Sequence, residues 1–295
     1  FHSAFVGKDL SELSSEVGAY ELAFSKLKQK NTLNYLKIYG QGIFNLMDRS
    51  ENPCHLIGEI YHEQMMIPLH IKANDRYALA ALYVNKLHLC YLFGEYQEAV
   101  ENAINAQQYL DGATSTLLIP LFHFYDSLAH LAIYSSVSNS QDLNSQDSNS
   151  QDFTSKQEQI LARVTANQEK MQKWADSAPT NYLHKFYIVE AEKHRVQNSH
   201  VNAMDFYDRA IAAAEKHEYI NEEALANELA GKFYLDWGKE KIAKTYINEA
   251  YYLYSLWGAT AKVGDLETKY AHLLVKSSAS TSDDNSLRSL PTKAE

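Results

Sequence analysis

His123, Asp126 and His130 are spaced by three and four residues, so in a helix they share one face. Two imidazoles and a carboxylate in that arrangement could be presented to a metal ion. The plainer reading is a solvated or hydrogen-bonded polar stripe, and the residue types favour it. His62-Glu63 opens like a zinc-protease motif, but Met66 stands where the second His is required. The same pair superficially resembles a phosphoacceptor His followed by an acid, with no ATP-binding module to serve it. A G-x4-G-K-[ST] loop to cradle a nucleotide is absent. His194-Arg195 is followed by Val196 rather than Asp, and there is no Asp-Phe-Gly, so the protein-kinase set is missing. There is no G-x-S-x-G elbow. Trp174, Trp237, Trp257 and the tyrosine stripe at 251–254 could line a ligand pocket, but packing between helices is their ordinary role. The chain reads as a binding scaffold rather than a catalyst, with no catalytic residue and no metal ligand assigned.

The scaffold is visible in one repeated pattern. Ala203-x3-Tyr207-x2-Ala210 recurs forty residues later as Ala243-x3-Ile247-x2-Ala250. An earlier copy reads Ala99-x3-Ala103-x2-Ala106, and twelve positions upstream of each copy stand Leu87, Ala191 and Gly231. Alanines seven apart lie on one helix face, where the lack of long side chains lets a second helix approach closely. This is the physics of tetratricopeptide-like helical hairpins stacked with a period of roughly forty residues. The expected fold is an all-α solenoid over residues 1–275, with an insertion at about 135–155 and a disordered linker at 276–295.

Composition agrees with helix. Of 295 residues, 45% are hydrophobic and only five are proline. Four of those, Pro53, Pro68, Pro120 and Pro179, fall at or near expected helix boundaries. A net charge of −10 argues against a nucleic-acid partner, which needs clustered Lys and Arg. No apolar run approaches the roughly 18–20 residues that span a bilayer, and there is no secretory signal. Cys54 and Cys90 are too few for a disulfide framework and read as small buried hydrophobes, so a cytoplasmic location is expected. The start at Phe1 and the polar tail point to a piece of a longer polypeptide.

Two helices are expected within 8–47, breaking near Lys30-Asn31. A turn follows at 49–53, then a helix from Cys54 to Met66 that ends before Pro68. Asp75–Phe93 and Glu95–Leu110 pair about Gly94, with Asp111-Gly112 as a stop. A helix at 121–134 precedes three copies of Asn-Ser-Gln-Asp, at 139–142, 144–147 and 149–152. That tract has too little apolar surface to order itself and reads as a mobile loop. A capping box at Ser155-Lys156-Gln157-Glu158 restarts the helix, which Pro179 stops. The last hairpins cover 181–197 with 200–217 and 221–237 with 239–256, turning at Asn198 and Gly238, and a helix at 260–275 caps the stack.

In such repeats the first helix of each pair lines a concave groove. Counting back from Ala203 and Ala243 places Lys185, Glu192 and Arg195 there, then Glu228, Lys232 and Asp236. The earlier repeat adds His88 and Tyr91, and a matching register adds His123, Asp126 and His130. Mixed charge with His and Tyr suits a protein or peptide partner. The charges read as exposed, so alanine at Lys185, Arg195 and Lys232 is expected to weaken binding while leaving helicity intact.

Residues 49–62 (RSENPCHLIGEIYH), 89–112 (LCYLFGEYQEAVENAINAQQYLDG), 166–184 (ANQEKMQKWADSAPTNYLH) and 219–238 (YINEEALANELAGKFYLDWG) carry a more specific signal. They resemble the cyanobacterial multidomain kinases, which join a Ser/Thr kinase and an AAA-like ATPase to a long helical region, a GAF domain and often a histidine kinase. The resemblance covers almost all of residues 1–275 and lies within the helical region. It implies a non-catalytic sensing or protein-interaction segment that couples the ATPase and kinase modules. Partners would include flanking domains of the same polypeptide, with no nucleic acid and no membrane. No cofactor is expected here, since ATP would belong to the flanking domains, and none of their active-site residues can be placed in this chain. The Asn-Ser-Gln-Asp tract departs from the family pattern. A scaffold or spacer without ligand, and a metal-dependent enzyme using the His123, Asp126 and His130 stripe, are the alternative readings.

Overall fold

The computed structural model describes residues 2–139 and 150–275. Among them the chain is all-helical, with twelve α-helices packed in neighbouring pairs. They are α1 (Leu10–Lys26), α2 (Lys30–Leu46), α3 (Glu63–Lys72), α4 (Arg76–Phe93), α5 (Tyr96–Gln107) and α6 (Leu118–Asn139). Then come α7 (Ser150–Ser177), α8 (Pro179–Val196), α9 (His200–Lys216), α10 (Ile220–Asp236), α11 (Glu240–Trp257) and α12 (Thr260–Lys269). The middle Asn-Ser-Gln-Asp copy and the tail at 277–295 lie outside the described residues. The Ser155 box falls inside α7 rather than at its start.

The hairpin turns share one construction. A residue with positive φ ends the helix, and the next residue's N–H donates to the carbonyl five positions back. Gly94 (φ 88°), Asn198 (φ 58°), Glu218 (φ 60°) and Gly238 (φ 72°) all do this. The closing bonds are Glu95 to Cys90, Ser199 to His194, Tyr219 to Ala214 and Lys239 to Tyr234, all of 3.0 Å or less. The links are short, two residues after α4 and three after α8, α9 and α10.

One expected element is corrected. No helix runs from Cys54 to Met66. Residues 47–62 form a loop, and α3 starts at Glu63 with Pro68 inside it. The loop backbone is satisfied by buried side chains instead of helical bonds. Asn45 donates to the carbonyls of Pro53 and His55, Gln41 accepts from Ile60 and Tyr61, and Glu63 accepts from Leu56 N–H.

The even-numbered helices form the inner layer. α2, α4, α6, α8 and α10 touch in succession, and α12 comes back to α2 and α4. Inner helices bury residues all round, as in the unbroken run Ala78–Leu82 of α4. Outer helices bury one stripe, such as Ala203, Tyr207, Ala210 and Ala214 of α9 or Ala243, Ile247 and Ala250 of α11. The small residues set the approach: a Cβ added at Gly231 would stand 2.6 Å from Ile247 Cδ1. Gly231→Val should therefore lose about 1–3 kcal/mol by overpacking, read as an earlier midpoint in urea; an unchanged midpoint would show that α10 and α11 can part freely.

Candidate functional site

The inner layer carries charge where a core is usually apolar. On α10, Glu228 is 1% exposed and accepts from Lys232 Nζ at 2.6 Å, Lys262 Nζ at 3.0 Å and Tyr254 OH at 2.9 Å. Lys262, on α12, is fully buried and also donates to the carbonyl of Leu92 at 2.5 Å and to Asp265 at 2.8 Å. That one ammonium fastens α12 to both α10 and the end of α4. Burial by itself would raise the Glu228 carboxyl, but the charges of Lys232 and Lys262 outweigh it and hold it down at about 2.

A second pair joins α8 to α10. Lys185 Nζ lies 3.1 Å from Glu222, and His184 Nε2 lies 3.8 Å from the same carboxylate. On α8, Glu192 takes both Nε and Nη2 of Arg195, at 3.0 and 2.7 Å, together with the Tyr207 hydroxyl. His88 sits between Phe5 and Tyr125, with ring centroids at 5.6 and 4.7 Å. Burial pushes the His88 and His184 imidazoles down to about 4, so both are neutral inside the fold.

A wide cleft of about 1140 Å³ opens on the other side of the array. The connection from α5 to α6, the first turns of α6, the middle of α7 and the start of α8 enclose it. Its lining residues Gln107, His123, Arg163 and Asn167 belong to a chain of polar contacts. Arg163 grips Asp126 through Nε and Nη2 at 2.8 and 2.9 Å and reaches Gln107 at 2.9 Å. Asn167 donates to Asp126 at 2.7 Å and to Ser127 at 3.1 Å, leaving its carbonyl oxygen to accept from His123 Nδ1 at 2.8 Å. His130 Nδ1 donates to the Asp126 backbone carbonyl at 2.8 Å and stands 3.3 Å from its carboxylate. Burial would raise the Asp126 carboxyl, but hydrogen bonds from His130 and Arg163 keep it at about 2.

The chain is similar to the hybrid signal transduction histidine kinase G of Dictyostelium discoideum, 25% identical over 215 residues. The match covers 66% of this chain and 6% of that protein. No protein-family model matches the chain, and no solved structure matches it. The likeness relates this helical array to a small part of a signalling kinase.

The groove expected from the repeat register is not an open one. Lys185, Glu192, Glu228, His88 and Tyr91 are each less than 5% exposed. Arg195 and Lys232 are half-buried, and only Asp236 of that set is exposed. Lys185, Glu192, Arg195, Glu228 and Lys232 lie on inner-layer helices, where each is held in an ion pair. The exposed-charge expectation for Lys185, Arg195 and Lys232 is therefore corrected: removing them would leave Glu222, Glu192 and part of the Glu228 site unpaired, which is destabilising. Of His123, Asp126 and His130, only His123 lines the cleft, and Asp126 is occupied by Arg163 rather than free for a cation. Among the described residues no group of three or more His, Cys, Asp or Glu is arranged to hold a metal ion. Cys54 and Cys90 are buried free thiols. Trp257 is core, 1% exposed, whereas Trp174 lines the cleft. Among the described residues no helix is long and apolar enough to cross a membrane.

Sequence reasoning missed Arg163, Asn167 and Lys170 on α7 and Lys262 on α12. The α7 residues had a signal. Positions 163, 167, 170 and 174 follow helical spacing and form one polar-aromatic stripe. Lys262 had little, since beyond Asp265 its partners are Glu228 and Leu92, far away in the chain.

Proposed function

We propose that this chain is a non-catalytic sensing and protein-interaction region of a multidomain signalling kinase, built as a tetratricopeptide-like solenoid. The observation that carries the reading is the likeness of the helical array to a stretch of a histidine kinase. The close-packed hairpins, with Ala203, Ala210, Ala243 and Ala250 at their contacts, support the repeat assignment. In this reading the array couples ATPase and kinase modules, which bind ATP themselves, and its partners are those modules or a protein they recognise. Because the inner layer is closed by ion pairs, partners dock on the outer helices and the cleft. The inner charges hold the array in one shape rather than contact the partner.

Cross-linking of the polypeptide as its cells make it, followed by peptide mapping, tests this. Exposed lysines of the outer helices, among them Lys173, Lys216 and Lys241, should link to kinase or ATPase segments, and the pattern should change when ATP is added. Links confined to the array itself, identical with and without ATP, would leave a passive spacer as the correct description.

A further inference from the structure

The cleft beside α7 has a charge without a counter-charge. Its rim acid, Asp111, is engaged by Arg76, whose Nε lies 2.8 and 2.9 Å from the two carboxylate oxygens. The nearby buried acid Asp126 is engaged by the lining residue Arg163. Lys170 remains. It is exposed, and among the described residues it forms no ion pair. Its polar neighbour is His123 Nε2, at 3.4 Å. Because His123 donates through Nδ1 to Asn167, Nε2 carries the lone pair, and burial keeps the ring neutral. The ammonium therefore has an uncharged acceptor, not a carboxylate, as its polar neighbour. In a chain of net charge −10 this is a local cationic point.

Next to it stands an aromatic wall. The Trp174 ring lies 5.8 Å from His123 and 6.2 Å from Tyr182, and both Trp174 and Tyr182 are half-buried and line the opening. Thr114, Ser115 and Thr116 of the α5–α6 connection also line the opening. The volume lies somewhat above the roughly 300–1,000 Å³ that small-molecule sites enclose, leaving room for a small ligand with water. Positive charge, flat aromatic faces and hydroxyls in one concavity match a particular ligand chemistry.

We propose that this cleft binds a small organic anion carrying a flat ring. The acidic group sits at Lys170, and the ring rests against Trp174 and Tyr182. Nucleotides and aromatic carboxylic acids share this chemistry. The inference goes beyond the signalling reading and stands on the cleft alone.

Isothermal titration of the full chain tests it with four probes: adenosine monophosphate, naphthalene-2-carboxylate, adenosine and inorganic phosphate. At least one of the first two should bind with a Kd below about 1 mM. Whichever binds identifies the source as nucleotide-like or carboxylic. Adenosine, which lacks the charge, and phosphate, which lacks the ring, should each bind at least about tenfold more weakly. Lys170→Ala and Trp174→Ala should each weaken the binding probe about tenfold or more, while Lys170→Arg should retain it. Unchanged urea midpoints would show that Lys170→Ala and Lys170→Arg keep the fold. The proposal is overturned if neither ring-bearing anion binds below about 1 mM, if phosphate or adenosine binds as well, or if Lys170→Ala binds as tightly as the unaltered chain. Such a failure leaves the cross-linking result, and with it the signalling reading, untouched.

Discussion

Glu228→Ala should destabilise the chain by about 3–5 kcal/mol, the range for breaking a buried ion pair by removing one partner. The carboxylate has three partners: Lys232, Lys262 and the Tyr254 hydroxyl. Lys232 keeps 26% of its side chain exposed and can turn toward water, whereas Lys262 is fully buried and cannot. What remains is an ammonium inside the protein, with Asp265 and a backbone carbonyl as its only relief. The loss comes from stranding that charge. The double variant Glu228→Leu with Lys262→Met should therefore recover a large part of it, because an apolar pair of similar size needs no counter-charge. Equilibrium urea unfolding of both variants decides the matter. A loss below about 1 kcal/mol for Glu228→Ala would mean that this cluster behaves as a surface pair.

Stability should also fall steeply as the pH drops from 7 to 4. His88 and His184 titrate near 4 in the folded chain, against an ordinary 6.5. Between those values the unfolded chain takes up protons that the folded chain refuses, so unfolding gains ground as acid is added. Each histidine accounts for about 3 kcal/mol. That contribution is present in full above pH 6.5 and lost progressively toward pH 4. Below that window Glu228 and Asp126 add a second loss. Their folded values of about 2 lie beneath the ordinary 4.5 and 3.8, so protonation favours unfolding as pH falls from 4.5 to 2. Unfolding free energies at pH 7, 5.5 and 4 should show the first slope, and His88→Phe should flatten it by about half. A level profile from 7 to 4 would show that water reaches both imidazoles.

Much of this architecture was legible in the sequence because helix ends and contacts leave local marks. Asp75, Gly94, Asn198 and Gly238 marked boundaries where they occur, since Asp caps a helix start and Gly and Asn tolerate positive φ. Glu218 makes the same turn and left no mark, because the closing bond to Ala214 imposes a conformation that its side chain does not advertise. Pro68 misled for the same kind of reason. It looked like a stop, but the preceding loop is held by Asn45, Gln41 and Glu63, and the helix begins after it. The alanine register carries no sign of how the inner face is closed. A stripe of charges on one helix reads the same whether water or another helix covers it. Only the return of α12, through Lys262 to Leu92, distinguishes the two.

That return changes how the array comes apart. A linear stack of hairpins has two end units with one neighbour each, and such units fray first. Here α12 lies against α2 and α4, and the Trp257 indole donates to the carbonyl of Lys8, so the ends shield each other. Each hairpin has a neighbour on both sides, and losing one removes support from two others. Unfolding then resembles the opening of a clasp more than the peeling of a strip.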